Sequence, residues 1–213
     1  MMKVLLAVAV VGLLAGTNAS AIDAVGGAFG TVSTARGIGM GSASFQGVVG
    51  IADATSVYGA FRYGFSNYLD GRLKVGLVVG DGGDTEITFG ADMTFQVWTV
   101  GPQSSNPFEL ACGGMFEFVS PGDATLWQLG GYGIGSYPFG LSNGMTLSPY
   151  GRLNIRVENF SVDVPGGDIS DSELEFGFNG GAMFKINETI NAYGEFQIDG
   201  NDGVFLGIEF LVM

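Results

Sequence analysis

The chain has 213 residues, of which 14% are charged and 38 are glycine, and its formal net charge is −13. It is too glycine-rich for a helical bundle, too apolar for disorder and, lacking a Gly-X-Y period, not collagen-like. With no histidine, a Ser-His-Asp triad, a His-ligated metal and His acid/base chemistry are all excluded, and the negative charge argues against nucleic acid as a partner.

Lys3, the apolar run from Val4 to Gly16 and then Ala19-Ser20-Ala21 have the form of a secretory signal peptide over residues 1–21, so the mature chain is expected to begin at about Ile22. The run is short for a membrane-spanning helix. No cysteine follows it, which argues against a lipoprotein anchor, and the single Cys112 allows no internal disulfide. Residues 22–41 form a glycine-rich N-terminal segment, and residues 42–213 form the body of the protein.

From there the pattern has a period of two. Ser42–Gly50 alternates weakly, with Ala43, Phe45, Gly47 and Val49 on one face. Val57, Gly59, Phe61, Tyr63 and Phe65 oppose Arg62, and Leu73, Val75, Leu77 and Val79 oppose Arg72 and Lys74. Ile87, Phe89, Ala91, Met93, Phe95 and Val97 oppose Glu86 and Asp92, and Phe108, Leu110, Cys112, Gly114, Phe116 and Phe118 oppose Glu109 and Glu117. Thr125–Tyr137 is glycine-rich and fits either phase. Leu147, Pro149, Gly151, Leu153, Ile155 and Val157 oppose Arg152, Arg156 and Glu158, and Leu174, Phe176, Phe178, Gly180, Ala182, Phe184 and Ile186 oppose Glu173, Glu175 and Lys185. Ile190, Ala192, Gly194, Phe196 and Ile198 oppose Glu195 and Asp199, and Val204, Leu206, Ile208, Phe210 and Val212 oppose Glu209. This is strand alternation, not a helical repeat.

Turn signals separate the ten candidate strands: Asn67–Gly71, Asp81–Asp84, Gly101–Pro107, Ser120–Asp123, Leu141–Gly144, Pro165–Asp168, Asn187–Glu188 and Gly200–Gly203. Sequential hairpins predict an all-β fold, an antiparallel up-and-down barrel most simply of 10 strands, with 8 to 12 open. Period alone does not say whether the apolar face points inward, as in a soluble barrel, or to lipid, as in a transmembrane one. Three features favour lipid. No charge falls on the apolar faces, the loops carry no lysine, and the aromatics Phe65, Phe108, Tyr137, Phe184 and Phe210 share one set of strand ends, as a girdle requires. Asn67–Gly71, Gly101–Pro107, Leu141–Gly144 and Asn187–Glu188 then lie on the periplasmic rim, and the longest loop, Phe160–Asp171, lies outside.

These residues resemble the small outer-membrane β-barrel superfamily over about Ser42–Met213, in the signal peptide, the hairpin rhythm and the last strand Gly203–Met213. The resemblance implies an outer-membrane location, the lipid bilayer and the outer-membrane assembly machinery as partners, and a monomer. The chain ends in Met213 with Phe210 three residues earlier, a departure from the family's aromatic C-terminal residue. Thr34-Ala35-Arg36-Gly37-Ile38-Gly39-Met40-Gly41 is similar to the glycine-rich N-terminal segment of fatty-acid-transporter-like barrels; those relatives are much longer, and no binding residues carry over.

No catalytic site is expected. Barrel hydrolases of this superfamily generally use a histidine, and Glu173/Glu175 or Asp163/Asp168 read more simply as lumen and turn residues than as a catalytic pair. Asp81, Asp84 and Glu86, and Asp199, Asn201 and Asp202, are turn residues before they are calcium ligands. Gly37–Gly41 lacks the dinucleotide fingerprint, and Cys112 faces lipid. No metal or cofactor is expected.

The candidate functional site is a lumen charge network of Arg62, Arg72, Lys74, Glu86, Asp92, Glu109, Glu117, Arg152, Arg156, Glu158, Glu173, Glu175, Lys185, Glu195 and Glu209. Two functions fit it: a structural, envelope or surface-display barrel with a narrow polar lumen, or a small passive channel or binding barrel for small solutes or hydrophobic molecules, cation-preferring if open. Lumen glycines (Gly76, Gly90, Gly113, Gly177, Gly181, Gly207) would leave space. Arg156 is expected opposite Glu175 and paired with Glu173 or Glu175, and Arg152 with an acid on another strand.

Overall fold

The computed structural model describes residues 29–52, 54–79, 85–101, 106–120, 124–142, 144–164, 167–200 and 202–212. The expected signal peptide, residues 22–28 and the turn Asp81–Asp84 lie outside them. Eleven strands follow in order: β1 (Ala43–Ala52), β2 (Thr55–Gly64), β3 (Leu69–Val79), β4 (Thr85–Trp98), β5 (Glu109–Val119), β6 (Ala124–Ser136), β7 (Phe139–Gly140), β8 (Thr146–Val164), β9 (Gly167–Lys185), β10 (Ile190–Ile198) and β11 (Gly203–Val212). β7 is a two-residue rim strand beside the start of β8. The other ten form the wall, each antiparallel to its chain neighbours, with β6 passing directly to β8. β1 pairs with β11 from Ala43↔Val212 to Ala52↔Gly203, which closes the sheet. The ten-stave up-and-down barrel expected from the hairpin rhythm is the fold of this chain.

Closure decides the question that periodicity left open. Leu73 is 65% exposed and Leu153 67%, whereas Lys74 is 3% exposed and Arg156 1%. The curvature of the sheet turns the apolar set outward and the polar and charged set inward. An exterior of leucine, valine and phenylalanine around a polar interior is the inverse of a water-soluble barrel, and with no free sheet edge it satisfies its backbone without solvent. The barrel therefore spans a membrane.

Aromatics gather on one rim, where Tyr63 stacks edge-on against Phe65 at 5.3 Å and Trp98 against Phe108 at 5.8 Å, and where Tyr137 is tilted against Phe139 at 4.6 Å. Phe210 is exposed on the same rim and Phe184 is half-buried. Cys112 is exposed on the apolar face.

One expectation fails. Phe160–Asp171 is not a loop: β8 and β9 continue as a paired ribbon, with Phe160↔Asp171 and the last pair at Val164↔Gly167. Beyond the bilayer both faces of a ribbon meet water, so the apolar alternation that marks a strand disappears while the ladder continues. Just before this stretch Glu158 stands directly across from Glu173, a like-charge pair offset by Arg156, which lies 2.6 Å from Glu158.

Candidate functional site

The lumen is not empty. Residues 29–41 enter at the aromatic rim, where Gly41 donates to the Gly64 carbonyl and Met40 to Asn67 Oδ1, and climb to mid-barrel at Phe29. The many small side chains among them let an irregular segment thread a narrow tube, and the wall grips the segment chiefly by its main chain. Glu195 on β10 accepts from the amides of Thr31 at 2.6 Å and Val32 at 2.7 Å. Ser136 and Gln96 accept from Ala35 and Gly37 at 3.1 and 2.8 Å. Tyr58, Arg72, Gln46 and Arg62 donate to the carbonyls of Gly30, Thr31, Val32 and Arg36 at 3.1, 2.7, 2.7 and 3.0 Å. Phe29, Val32 and Ala35 join Val48, Tyr58, Ala111, Ile134, Tyr150, Tyr193 and Phe205 in an apolar cluster inside the tube.

Around this strand the charges form separate clusters. At the rim, Arg36 pairs with Glu109 at 2.6 Å, and Ser136 also donates to Glu109. Arg62 grips Asp70 through two 2.8 Å bonds. Deeper, Asp92 takes Arg72 at 2.8 Å and Lys74 at 3.1 Å, and Lys74 also reaches Glu117 at 3.5 Å and lies 5.3 Å from the centre of the Phe29 ring. Glu117 accepts from Gln128, so β6 is phased with Gln128 inward. Glu195 also takes Tyr150 and Asn179, and Glu209 takes Ser44, Asn191 and Tyr193. Such paired and hydrogen-bonded charges are what a dehydrated interior tolerates.

Several expected members lie elsewhere. Lys185 pairs with the exposed Glu188 at the aromatic rim. Glu86, Glu173 and Glu175 sit toward the opposite mouth and make no ion pair among the described residues. Two acids read as turn residues belong inside: Asp70 is 2% exposed and Asp199 6%.

The β8–β9 register does set Arg156 opposite Glu175, but the expected pairing does not form. Arg156 turns along its own strand to Glu158 at 2.6 Å and reaches Asp199 at 3.4 Å and Asn154 at 3.0 Å. Gly177 allows this, because a side chain there would strike Asp199 and Asn154. Arg152 pairs with no acid among the described residues. It donates to Thr31 Oγ1 at 2.7 Å and to Met115 Sδ, and lies over the Tyr132 ring at 4.1 Å. A double-mutant cycle should therefore show coupling of about 0.5–3 kcal/mol between Arg156 and Glu158, and additivity within about 0.5 kcal/mol for Arg156 with Glu175; the reverse order would reject the geometry.

The lumen glycines do not leave space. Tyr58, Tyr132, Tyr150 and Tyr193 each face a cross-strand glycine, respectively Gly76, Gly113, Gly181 and Gly207. An added Cβ would strike the Tyr58, Tyr132 and Tyr150 side chains at the first three and Val32 of the threaded strand at Gly207. At Gly90 it would meet the Phe29 ring at 2.9 Å. Each glycine is a seat for a neighbouring side chain, as when an aromatic covers a bare stretch of strand. Among the described residues a vestibule of about 300 Å³ opens beside the threaded segment at the aromatic rim, and its lining includes Arg36, Arg62, Glu109, Lys185, Glu188 and Asn191.

Neither a family model nor a curated protein matches the chain. Among solved structures it is similar to the N-terminal β-barrel domain of Pseudomonas aeruginosa OprF, at 12% identity over 82% of this chain and 99% of that one, TM-score 0.41. It is similar to the KdgM porin at 9% identity over 78% and 98%, TM-score 0.41, and to a de novo designed transmembrane β-barrel at 16% over 81% and 97%, TM-score 0.38. The likeness is one of barrel form alone.

Proposed function

We propose that the protein is an outer-membrane barrel sealed by its own N-terminal segment, with a structural role in the envelope and a tall β8–β9 ribbon displayed at the outer mouth. The observation that carries this reading is the grip on residues 30–37: eight main-chain groups are bonded by side chains from six staves. A strand held on so many sides fixes the stave spacing and fills the path a solute would take. The reading is non-enzymatic. Glu109, Glu195 and Glu209 spend their oxygens on internal donors, an arrangement suited to holding a shape rather than to moving protons. The second reading, a binding barrel, is favoured only by the vestibule, which is open at one rim and ends at the threaded strand.

The test is conductance. The refolded full chain in a planar bilayer should insert without steady ohmic steps. A stable open level would overturn the sealed reading, and cation preference of that level would favour the channel.

A further inference from the structure

The bonds to residues 30–37 have an unusual selectivity. Seven wall residues (Gln46, Tyr58, Arg62, Arg72, Gln96, Ser136 and Glu195) contact amides and carbonyls, groups that any peptide carries. Two side chains of the segment are recognised by polar wall groups, Thr31 by Arg152 and Arg36 by Glu109. Carboxylate, hydroxyl and amide acceptors meet the N–H groups, while guanidinium, phenol and amide donors meet the carbonyls. The wall thus supplies, from side chains, the pattern that a neighbouring β-strand supplies from its backbone.

The segment is also bent to fit. Val32 has φ of +41°, a region that β-branched residues avoid, and it is held there by Glu195 on its amide and Gln46 on its carbonyl. Its fully buried side chain sits over Gly207. At the far end Phe29 is seated against Tyr58, with ring centres 4.7 Å apart, beside Lys74 and Gly90. A groove that imposes a disfavoured conformation on its occupant is shaped independently of it.

We propose that the lumen is a binding site for extended peptide, occupied in this structure by the chain's own residues 29–37 as an internal ligand. It takes a peptide with an aromatic residue followed by small ones, and prefers glycine where Val32 stands. It binds that peptide through the main chain, with the C-terminal end at the aromatic rim. This goes beyond the sealed-barrel reading, because it makes the seal exchangeable.

The test uses the full chain with a protease site inserted between Gly41 and Ser42, folded in detergent and then cut. The freed segment should remain bound and then exchange with a fluorescent synthetic peptide of residues 29–41, read by anisotropy and native mass spectrometry. N-methylation of the peptide at Val32 removes the bond to Glu195 and should weaken binding about tenfold or more. N-methylation at Thr34, whose amide bonds to no wall side chain, should weaken it several-fold less, and Val32→Gly in the peptide should tighten it. A segment that stays until urea unfolds the barrel, a vacated lumen that takes up no peptide, or equal loss from both N-methyl groups would each overturn the proposal. An uncut chain that conducts while the cut one still binds peptide would overturn the sealing role alone.

Discussion

Replacing Glu195 by alanine is expected to lower the unfolding free energy by about 3–5 kcal/mol, the range for removing one partner from a buried charged cluster. The carboxylate is 3% exposed and accepts from Thr31, Val32, Tyr150 and Asn179. Alanine strands four donors in a dry interior, and each stranded donor costs about 1–3 kcal/mol before relaxation. Glu195→Gln keeps one acceptor oxygen but adds two donors to a site already full of them, so its loss should be intermediate. Urea unfolding in lipid vesicles measures both. A loss below about 1 kcal/mol for Glu195→Ala would mean that water solvates the stranded groups and that the lumen is not sealed at this level.

Arginine at Ala91 is the second large effect. Ala91 faces outward beside Leu73 and Phe116 in the middle of the wall, where a charge against hydrocarbon costs about 2–4 kcal/mol. The inward control must be chosen with the occupied lumen in mind. Thr94 is an inward position in the sequence pattern, but it is 6% exposed and bonded to Tyr132 at 2.6 Å, so arginine there would overpack. Glu86, partly exposed near the mouth opposite the aromatic rim, is the proper comparison, and Glu86→Arg should change stability by no more than about 0.5 kcal/mol. Equal losses at positions 86 and 91 in bilayers would contradict the orientation of the wall.

The amino-acid sequence by itself determined the staves and which residues share a face. A strand that separates lipid from a polar interior must alternate strictly, so Leu73, Val75 and Leu77 could not be mistaken for partners of Arg72 and Lys74. It also pointed to the Arg156↔Glu175 register, because reflecting the chain about Pro165-Gly166 sets those two residues opposite each other, and the ladder keeps that register to Val164↔Gly167. Only the tertiary structure decided what those faces meet, because outward and inward are properties of a closed sheet and not of a strand. It decided the phase of β6, where glycine and apolar residues occupy both faces and polarity gives no contrast. It drew Asp70 and Asp199 into the lumen, although their Asp-Gly neighbourhoods read as ordinary turns, and it sent Arg156 to Glu158 and Asp199 through the gap at Gly177. Above all it showed that residues 29–41 thread the barrel. A segment recognised chiefly by its amides and carbonyls needs few particular side chains, and the small ones between them leave no periodic trace in a sequence.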